Sequence, residues 1–476
     1  MGDFWFNKFE LPRDRFDYTH LGNKGKKAKQ KQKRLTQEFS IKIHHFIPEQ
    51  LPCLFSFYTL ISLQNESEEL NDTALLAHSE FVQGLILSSP IKMFKDNPVR
   101  PNEIQGLFDD VKQIYSTELI KFYADFDFST DENKASRQFF QEFRRNQTKL
   151  SRDWAYPFQI KALASELFQA INDQFKEEYR LSINQLLEVF EDLGSKINSQ
   201  LQEHLVIFKS VAKCKTAEEL VTTYIKYNGD DKSESQAIFK LLDDKKANDP
   251  IKKLEISRML IFAHLDAQLI RRFHIDLTDC YNEEGAIAIG QIIDMISNEP
   301  GDLKNFPRDH LFMSNPIWEK PFWKRANQNF LLPCPWLLEQ MRIEIIEGLI
   351  VRNERLHKLL GDKKVKGNYL ESKTLQLFKE HFSEASFYNG SRLIIEDVEI
   401  TENDVLMILD HTAIIIECKS SRLSNSSKRG GLKGLERNFE DLIFKSMQQA
   451  TLFTEHLKNN PRTHRFPTKL KNFGRR

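Results

Sequence analysis

The longest regular pattern in this chain is a stripe of apolar residues that begins after Leu181. Apolar side chains recur there in steps of three or four, the spacing that places them on one face of an α-helix. The stripe consists of Ile183, Leu186, Phe190, Leu193, Ile197, Leu201, Leu205, Phe208 and Val211. It predicts one long amphipathic helix, and similar periodicity dominates the chain from about residue 70 to 297. We therefore expect residues 36–300 to form one or more helical domains.

Local signals mark where helices start and stop in this region. Thr216 followed by Glu219 is typical of a capping box, in which the two side chains bond to the backbone at a helix start. Asp249-Pro250 and Glu299-Pro300-Gly301 are expected to break the helical pattern.

The residue composition of the sequence changes after about residue 300. Prolines, which are disfavoured inside helices, alternate there with tryptophans. The residues concerned are Pro307, Pro316, Trp318, Pro321, Trp323, Pro333, Pro335 and Trp336. The cluster Asn327-Gln328-Asn329 separates two apolar runs and predicts a hairpin between Phe322-Trp323 and Phe330-Leu331-Leu332. We expect a domain junction over 301–362, ending in a helix from about Trp336 to Leu360.

Composition excludes several classes of protein. The chain has 476 residues, 40% hydrophobic and 29% charged, which is typical of folded domains and not of a disordered polymer. Five cysteines without a CxxC pair argue against a disulfide framework and a structural zinc site. The longest apolar run, Leu51 to Leu63, is about 13 residues, fewer than the roughly 20 that a membrane helix needs. Because the start also lacks the apolar segment of a secretory signal, we expect a soluble cytoplasmic protein that contacts no membrane.

Charge is balanced overall but concentrated at both ends. Lys plus Arg and Asp plus Glu each number 68, so the net charge excludes no class of partner. Residues 1–35 contain ten basic and four acidic residues, and 419–476 contain fourteen and four. We interpret 1–35 as a basic N-terminal arm, which either is solvated or contacts nucleic acid.

The pattern changes again from Tyr369 onward, to a short helix, three strands and a closing helix. The helix includes Leu370, Thr374, Leu377 and Phe378, with Glu371 beside its apolar stripe. The predicted strands are Arg392 to Ile400, Asp404 to Leu409 and Ala413 to Lys419, and the closing helix runs from about Leu435 to Leu457. Residues 363–476 are thus expected to form a separate α/β module.

The second and third strands flank Asp410-His411, which suits a two-residue hairpin turn. In such a hairpin the numbers of paired residues sum to 821, so Asp404 and Glu417 lie opposite each other with β-carbons about 5 Å apart. Lys419 points to the same face as Glu417. Two close carboxylates repel unless a cation lies between them, and oxygen ligands are what Mg²⁺ prefers. The alternative is an internal ion pair of Lys419 with one carboxylate that ends the hairpin.

This set of residues resembles the PD-(D/E)xK nuclease superfamily, the restriction-endonuclease-like fold, over roughly residues 366–458. The resemblance implies that Asp404 and Glu417 bind one or two Mg²⁺ ions, with Mn²⁺ as a substitute. It implies that Lys419 acts on the attacking water and that a helical glutamate, here Glu371, supports the metal site. The fold class expected for the chain is α+β and multidomain, a mostly helical N-terminal region followed by this αβββα module.

Many members of the superfamily also carry a glutamine on the helix that follows the third strand, which falls on Gln448 or Gln449. The apolar stripe of that helix comprises Phe439, Ile443, Ser446, Ala450, Phe453 and Leu457. Gln449 lies at the edge of this stripe and Gln448 lies opposite it, at 100° per residue. We therefore expect Gln449 to reach the site and Gln448 to face solvent.

Two features depart from the superfamily pattern. Asn403, not a proline, precedes Asp404, and residues 459–476 have little of the strand character that usually follows the glutamine helix. We therefore expect either that the chain lacks part of this sheet or that it is a fragment of a longer protein.

A basic, glycine-bearing loop connects Lys419 to the closing helix. Its basic side chains are those of Arg422, Lys428, Arg429 and Lys433. We interpret the loop either as an ordinary surface loop or as a flap that contacts the phosphates of a nucleic acid.

The expected function is Mg²⁺-dependent hydrolysis of DNA phosphodiester bonds by an endonuclease, and the same site could cleave RNA. By architecture alone, such a chain suits microbial defence or DNA processing. The alternative is a non-catalytic nucleic-acid-binding or scaffold protein with an incomplete nuclease-like module. The helical region could serve a protein partner or a homodimer as readily as an internal core.

Overall fold

A computed structural model of the chain describes residues 18–64, 72–121, 155–227, 249–325, 329–362, 364–395, 398–421, 427 and 432–459. The chain divides into two compact units. The first unit comprises Met1–Lys161 and Tyr179–Leu349, and the second comprises Ala162–Glu178 and Ile350–Arg476. Helices predominate, and two small sheets lie in the C-terminal part of the chain, which makes the fold α+β.

Helices form most of the described part of the chain up to Arg352. In chain order they are α1 (Tyr18–Ile43), α2 (Gln50–Gln64), α3 (Asp72–Leu87), α4 (Pro101–Ile120), α5 (Pro157–Phe168), α6 (Asn172–Tyr179), α7 (Ile183–Ala212), α8 (Ala217–Tyr227), α9 (Pro250–Arg272), α10 (Glu283–Met295), α11 (Leu337–Gln340) and α12 (Arg342–Arg352). α5, α6 and α12 cross the boundaries between the two units.

The long amphipathic helix predicted from the apolar stripe is α7. Its stripe is buried except for Phe208, which is partly buried. The helix begins because the Ser182 side chain accepts a hydrogen bond from the backbone N of Gln185, whose own side chain bonds back to Ser182. This capping box satisfies backbone groups that a helix start otherwise leaves unpaired.

The next two helices also begin at the predicted signals. Oγ1 of Thr216 accepts from the backbone N of Glu219 at 3.1 Å, just before α8. Asp249 accepts from the backbone N of Ile251 at 3.0 Å, and Pro250 is the first residue of α9. The break predicted at Asp249-Pro250 is therefore the start of a helix. α7, α8 and α9 meet in one apolar cluster that includes Val211, Leu220 and Leu265.

The first sheet has four short strands in the order β1-β4-β3-β2. They are β1 (His274–Asp276), β2 (Ser297–Asn298), β3 (Phe322–Lys324) and β4 (Asn329–Leu331). The antiparallel pair β3–β4, in which Trp323 lies opposite Leu331, is the hairpin predicted from the asparagine cluster. The pairing places this Pro/Trp-rich segment within the first unit.

The single helix expected from Trp336 to Leu360 is wrong. The structure has α11, α12 and a third helix, α13 (Glu354–Asp362). Met341 leaves the helical conformation, and the Asn353 side chain accepts from the backbone N of Leu356 at 3.0 Å, which caps a new helix. Apolar periodicity continues across both breaks, so the pattern alone did not show them.

The expectation of a solvated basic arm over residues 1–35 also needs correction. From Tyr18 onward the segment belongs to α1, and residues 1–17 lie outside the described part. Ala28, Gln32, Thr36 and Phe39 of this helix are buried, while the lysines between them are exposed. α1 therefore combines a packed face with a basic face.

The second unit contains the C-terminal module. After α13 come α14 (Val365–His381), the strands β5 (Ser386–Ile395), β6 (Val398–Leu409) and β7 (Thr412–Ile416), and the helices α15 (Leu432–Phe439) and α16 (Lys445–Asn459). A π-helical turn, Glu440–Phe444, joins α15 to α16. The sheet is antiparallel in the order β5-β6-β7, so the described elements follow the expected α-β-β-β-α order.

The first predicted strand of this module, Arg392 to Ile400, is wrong. Ile395 at the end of β5 pairs with Val398 at the start of β6, so the chain reverses in the middle of that range. Glu396 and Asp397, which follow Ile395 in the sequence, lie outside the described residues. Strand-forming residues lie both before and after the reversal, so the sequence pattern did not show it.

In the described part of the chain, no helix combines the length and the apolar content that crossing a lipid bilayer requires.

Candidate active site

The hairpin of β6 and β7 has the register expected from its turn. Leu409 pairs with Thr412 and Val405 with Ile416, so Asp404 and Glu417 occupy the next pair of opposed positions. Asp410 in the turn has a φ of 51°, a left-handed conformation that aspartate tolerates better than most residues. A local turn thus brings two carboxylates together at the far end of an apolar hairpin.

Asp404 is tied to the opposite strand end. Its Oδ2 atom accepts a hydrogen bond from the backbone N of Cys418 at 2.5 Å. On either side Asn403 and Val405 are buried, whereas Asp404 is partly exposed. The carboxylate is therefore held in one orientation by the backbone of the opposite strand end.

Helix α16 lies on the face of the sheet that carries the site. Leu406 and Phe453 are both buried in one cluster, with Ile415 and Leu457 packed around them. Because alternate residues share a face of a strand, Asp404 lies on the face of Leu406 and Glu417 on that of Ile415. Packing of α16 against these residues places its polar edge next to the two carboxylates.

Lys419 connects the hairpin end to α16. Its Nζ atom donates to Oε2 of Glu417 at 3.3 Å and to Oε1 of Gln449 at 3.1 Å. Gln449 is partly buried and Gln448 is exposed, which is the distribution predicted from the helix geometry. The ammonium group is thus held between a carboxylate of the hairpin and an amide of the helix.

The apolar stripe predicted for the closing helix is only partly correct. Ser446 and Phe453 are buried, but Ile443 is 42% exposed. Ile443 lies in the π-helical turn, where the wider turn rotates preceding residues relative to those that follow. π-turns are frequent at functional sites, and this one shifts the face presented from α16 onward.

Glu417 has the most perturbed environment in the site. Its side chain is only 6% exposed, and its Oε1 atom is buried without a hydrogen-bond partner in the structure. Burial and the negative charge of Asp404 raise the pKa of Glu417 to about 7, although Lys419 acts in the opposite direction. Lys419 pairs with Oε2 of Glu417, whereas Oε1 has no such positive partner.

Glu371 lies on α14, near enough for its negative charge to add to the raised pKa of Glu417 and of the Cys418 thiol. The Cys418 pKa rises mainly through burial, and a hydrogen bond from Thr374 opposes that rise. Within the described residues, no three His, Cys, Asp or Glu side chains form a group that could hold a metal ion. Glu371 therefore does not complete a three-carboxylate ligand set with Asp404 and Glu417.

Sequence reasoning missed two neighbours of the site, Thr374 and Gly367. A β-carbon on Gly367 would lie 3.7 Å from Oγ of Ser420 and 3.9 Å from Oε1 of Glu371. These are ordinary van der Waals distances, so Gly367 lies beside the segment after Lys419 without a steric requirement for glycine. A glycine one helical turn before Glu371 was the available signal.

The basic loop after Lys419 falls largely outside the described residues, including Arg422, Lys428 and Arg429. Lys433 belongs to the first turn of α15. Ser427, within the loop, is buried and hydrogen-bonded to Asn438 of α15. One point of the loop is therefore anchored to the helix that leads to Gln449.

The residues present fit a hard divalent cation. Two carboxylates face each other across the hairpin, and the unsatisfied Oε1 of Glu417 is the kind of buried oxygen that such an ion binds. Mg²⁺ commonly uses only one or two carboxylates, with water and substrate phosphate as the remaining ligands. Asp404 and Glu417 are therefore the residues that would hold such an ion, with Lys419 beside them.

The chain was compared with protein-family models, with curated proteins and with solved structures, and none of the three comparisons finds a match.

Proposed function

We propose that this chain is a metal-dependent nuclease that hydrolyses DNA phosphodiester bonds at the end of the β6–β7 hairpin. The observation that carries the proposal is the buried, unpartnered Oε1 of Glu417, which lies opposite Asp404 and next to Lys419. Two carboxylates and a lysine in this arrangement are similar to the catalytic set of the PD-(D/E)xK nucleases.

Asp404 and Glu417 would hold the ion, Mg²⁺ or alternatively Mn²⁺. A bound ion of this class lowers the pKa of a water molecule and offsets the negative charge of a phosphate. The hydrogen bond from Cys418 orients Asp404, and burial of Glu417 strengthens its interaction with a cation. Both effects favour a preformed site.

Lys419 is the proposed catalytic cation. Its bonds with Glu417 and Gln449 hold the ammonium at the open end of the hairpin, where it is 30% exposed and accessible to substrate. A fixed positive charge there stabilises the negative charge that develops on the phosphate and orients the attacking water. Gln449 is a positioning residue because it acts through Lys419, and Glu371 adds negative potential nearby.

The substrate is proposed to be DNA because the C-terminal segment is strongly basic. Residues 419–476 contain fourteen basic and four acidic residues, which favours a polyanionic partner. RNA has the same scissile bond and is the second substrate to test. A role in microbial defence or DNA processing would suit a nuclease module joined to a large helical unit.

A second candidate function is non-catalytic nucleic-acid binding or scaffolding. The Lys419–Glu417 ion pair favours it, since this pair satisfies one carboxylate oxygen without any metal. The three-stranded sheet described here also favours it, because the superfamily fold usually has a further strand.

Cleavage of supercoiled DNA, linear DNA and RNA by the full chain, with Mg²⁺ or Mn²⁺, separates the two functions. Wild-type protein should nick DNA only with metal, and EDTA should abolish nicking. Lys419→Ala and Asp404→Asn should each lower the rate by about 100-fold or more. Lys445→Ala is the matched control, because Lys445 is an exposed lysine of α16 that pairs with Asp441.

Unchanged activity in Lys419→Ala would exclude this site as the source of cleavage. If folded wild-type protein binds nucleic acid in a salt-dependent way but cleaves no substrate with either metal, the scaffold function replaces the nuclease.

A further inference from the structure

The strand β7 forms an edge of the C-terminal sheet. Among the strands that the structure describes, it pairs with β6 alone, without a bulge. Its sequence, Thr412–Ile416, contains no charged residue and no proline, and its first three residues are exposed. Natural proteins usually protect sheet edges with charges, prolines or bulges, because unpaired backbone groups there can bond to another strand. β7 lacks each of these protections.

The opposite edge of the described sheet, β5, is irregular. Gly390 has a φ of 61°, a left-handed conformation outside the strand region, and the register between β5 and β6 shifts between Leu393 and Ile394. Both irregularities interrupt the continuous row of backbone groups that an added strand needs. β7 is therefore the edge better suited to pairing.

The alternation of the β6–β7 ladder shows which backbone groups of β7 point outward. In a two-residue hairpin the residues that flank the turn, here Leu409 and Thr412, exchange hydrogen bonds, and bonded pairs then alternate along the strands. The residues of β7 that bond to β6 are therefore Thr412, Ile414 and Ile416. Cys418 continues this series, since its backbone N–H donates to Asp404 of β6. The residues whose N–H and C=O groups point away from β6 are Ala413 and Ile415.

We propose that β7 pairs antiparallel with β7 of a second copy of this chain, which joins two three-stranded sheets into one. A two-fold axis at Ile414 pairs Ala413 with Ile415 of the second copy, so the outward-pointing groups of both strands bond to each other. Because the strand is uncharged, its own copy brings no like charge opposite to it.

Charge complementarity favours this register and a second copy as the partner. Continued by one position, the register places the exposed His411 opposite Glu417 of the second copy at each end of the pair. An imidazole N–H can donate to a carboxylate. A shift by two residues also aligns the outward-pointing groups, but in one direction it places His411 opposite Lys419, a second basic side chain. In the other direction it places the apolar Ile416 opposite Asp410 of the turn.

Each proposed nuclease site would then include a residue of the other copy. Residues at alternate positions share a face of the sheet, so His411 of the second copy lies on the face that carries Glu417, beside that carboxylate. The association itself does not rest on the proposed nuclease function, and its test measures association and not cleavage.

Sedimentation equilibrium of the full chain in EDTA, from about 1 to about 200 µM, measures this association. An interface made by one short strand is small, so we expect a dimer with a Kd of about 10 µM. Ala413→Pro should raise this Kd about tenfold or more, because proline removes an outward-pointing N–H and leaves the bonds to β6 intact. The matched control, Ala413→Val, keeps the N–H and should stay within about threefold of wild type.

Cysteine variants test the register without relying on a proline. In Ile414→Cys the new thiols of the two copies lie opposite each other, with Cα atoms about 4.5 Å apart, so oxidation by diamide should link the copies through a disulfide. In the matched control, Thr412→Cys, the Cα atoms of the two new cysteines lie about 14 Å apart, too far for a disulfide. Wild type should remain unlinked.

A chain that stays monomeric at about 200 µM would overturn the proposal, as would a dimer that Ala413→Pro leaves unchanged. Equal cross-linking of Ile414→Cys and Thr412→Cys would also overturn it, because it indicates random collision. So would slow amide hydrogen exchange of Ala413 and Ile415 in dilute monomer, which would show that another segment of the same chain covers this edge.

Discussion

At the residue scale, Glu417 shows how a proposed metal ligand can reduce stability. Its side chain is buried, one oxygen has no hydrogen-bond partner, and Asp404 adds a second negative charge nearby. Each of these features disfavours the ionised form that metal binding requires. The folded chain without metal therefore retains an unfavourable charge that a cation would relieve.

Replacing Glu417 by glutamine should separate stability from activity. In EDTA at pH 8, Glu417→Gln should raise the free energy of unfolding by about 1–2 kcal/mol, because a neutral amide replaces a poorly solvated charge. Added Mg²⁺ should raise the melting temperature of wild type but not of the variant. Thermal melts with and without Mg²⁺ measure both effects, and an equal Mg²⁺ response in the two proteins would exclude Glu417 as a ligand.

Asp266 on α9 is a second buried carboxylate, in the first unit. One of its oxygens accepts from the Tyr58 hydroxyl at 3.0 Å, and the other is buried without a partner. Burial raises the pKa of Asp266 to about 7, while the Tyr58 hydrogen bond opposes the rise. Between the usual pKa of an aspartate and 7, the folded state keeps a proton that the unfolded chain has lost. This group therefore makes stability fall as pH rises through that interval, with the full loss present above 7.

The variant Asp266→Asn should remove that fall. Relative to wild type, its free energy of unfolding should rise by roughly 2–4 kcal/mol between pH 4.5 and pH 8. Urea unfolding at both pH values measures the difference, and Asp96→Asn, at an exposed position, is the control. A pH-independent difference between Asp266→Asn and wild type would contradict the raised pKa.

At the element scale, the connection of α15 to α16 decides which glutamine reaches the site. The π-helical turn changes the rotation of the helix, and burial of Phe453 against Leu406 then fixes α16 on the sheet. Gln449 consequently accepts a hydrogen bond from Lys419, and its neighbour Gln448 is exposed.

If Gln449 positions Lys419, Gln449→Ala should lower kcat about three- to tenfold and leave KM nearly unchanged. Gln448→Ala, one residue away on the same helix, should have wild-type kinetics. Steady-state cleavage of a labelled duplex with both variants tests this expectation. Equal loss in the two variants would point to helix destabilisation instead of lysine positioning.

At the scale of the whole molecule, the C-terminal unit includes a segment that is distant in sequence. Ala162–Glu178 belongs to it and contributes the buried apolar residues Phe168, Ile171 and Phe175. Tyr369 and Lys373 of α14 both donate to Glu166 at 2.9 Å. The α/β module is therefore larger than the 363–476 segment that the sequence suggested.

A fragment of residues 350–476 alone should be unstable. It lacks three buried aromatic or aliphatic side chains, each of which stabilises by roughly 1.5–3 kcal/mol when buried. Fusing residues 157–181 to its start through a flexible linker should restore a cooperative thermal transition, measured by circular dichroism. A fragment that melts equally well with and without the added segment would contradict the division into units.

Part of this architecture follows from local sequence. The apolar stripe after Leu181, its Ser182 cap and the Asp410-His411 turn each depend on residues within a few positions of one another. Helical periodicity and two-residue turns are short-range effects, so the long helix and the opposition of Asp404 to Glu417 could be predicted. The hairpin reversal at Ile395, in contrast, was hidden within a continuous run of strand-forming residues.

The sequence by itself determined the long helix α7, the starts of α8 and α9 and the register that opposes the two carboxylates. Only the tertiary structure decided which groups surround them: the bond of Lys419 with Gln449, the burial of Glu417 and the absence, among the described residues, of a three-residue ligand group that includes Glu371. It also brought Lys29, Lys121 and Arg308, which lie far apart along the chain, to the lining of one cavity. The physical reason is that burial and long-range contacts depend on how elements pack, and no local periodicity encodes that packing.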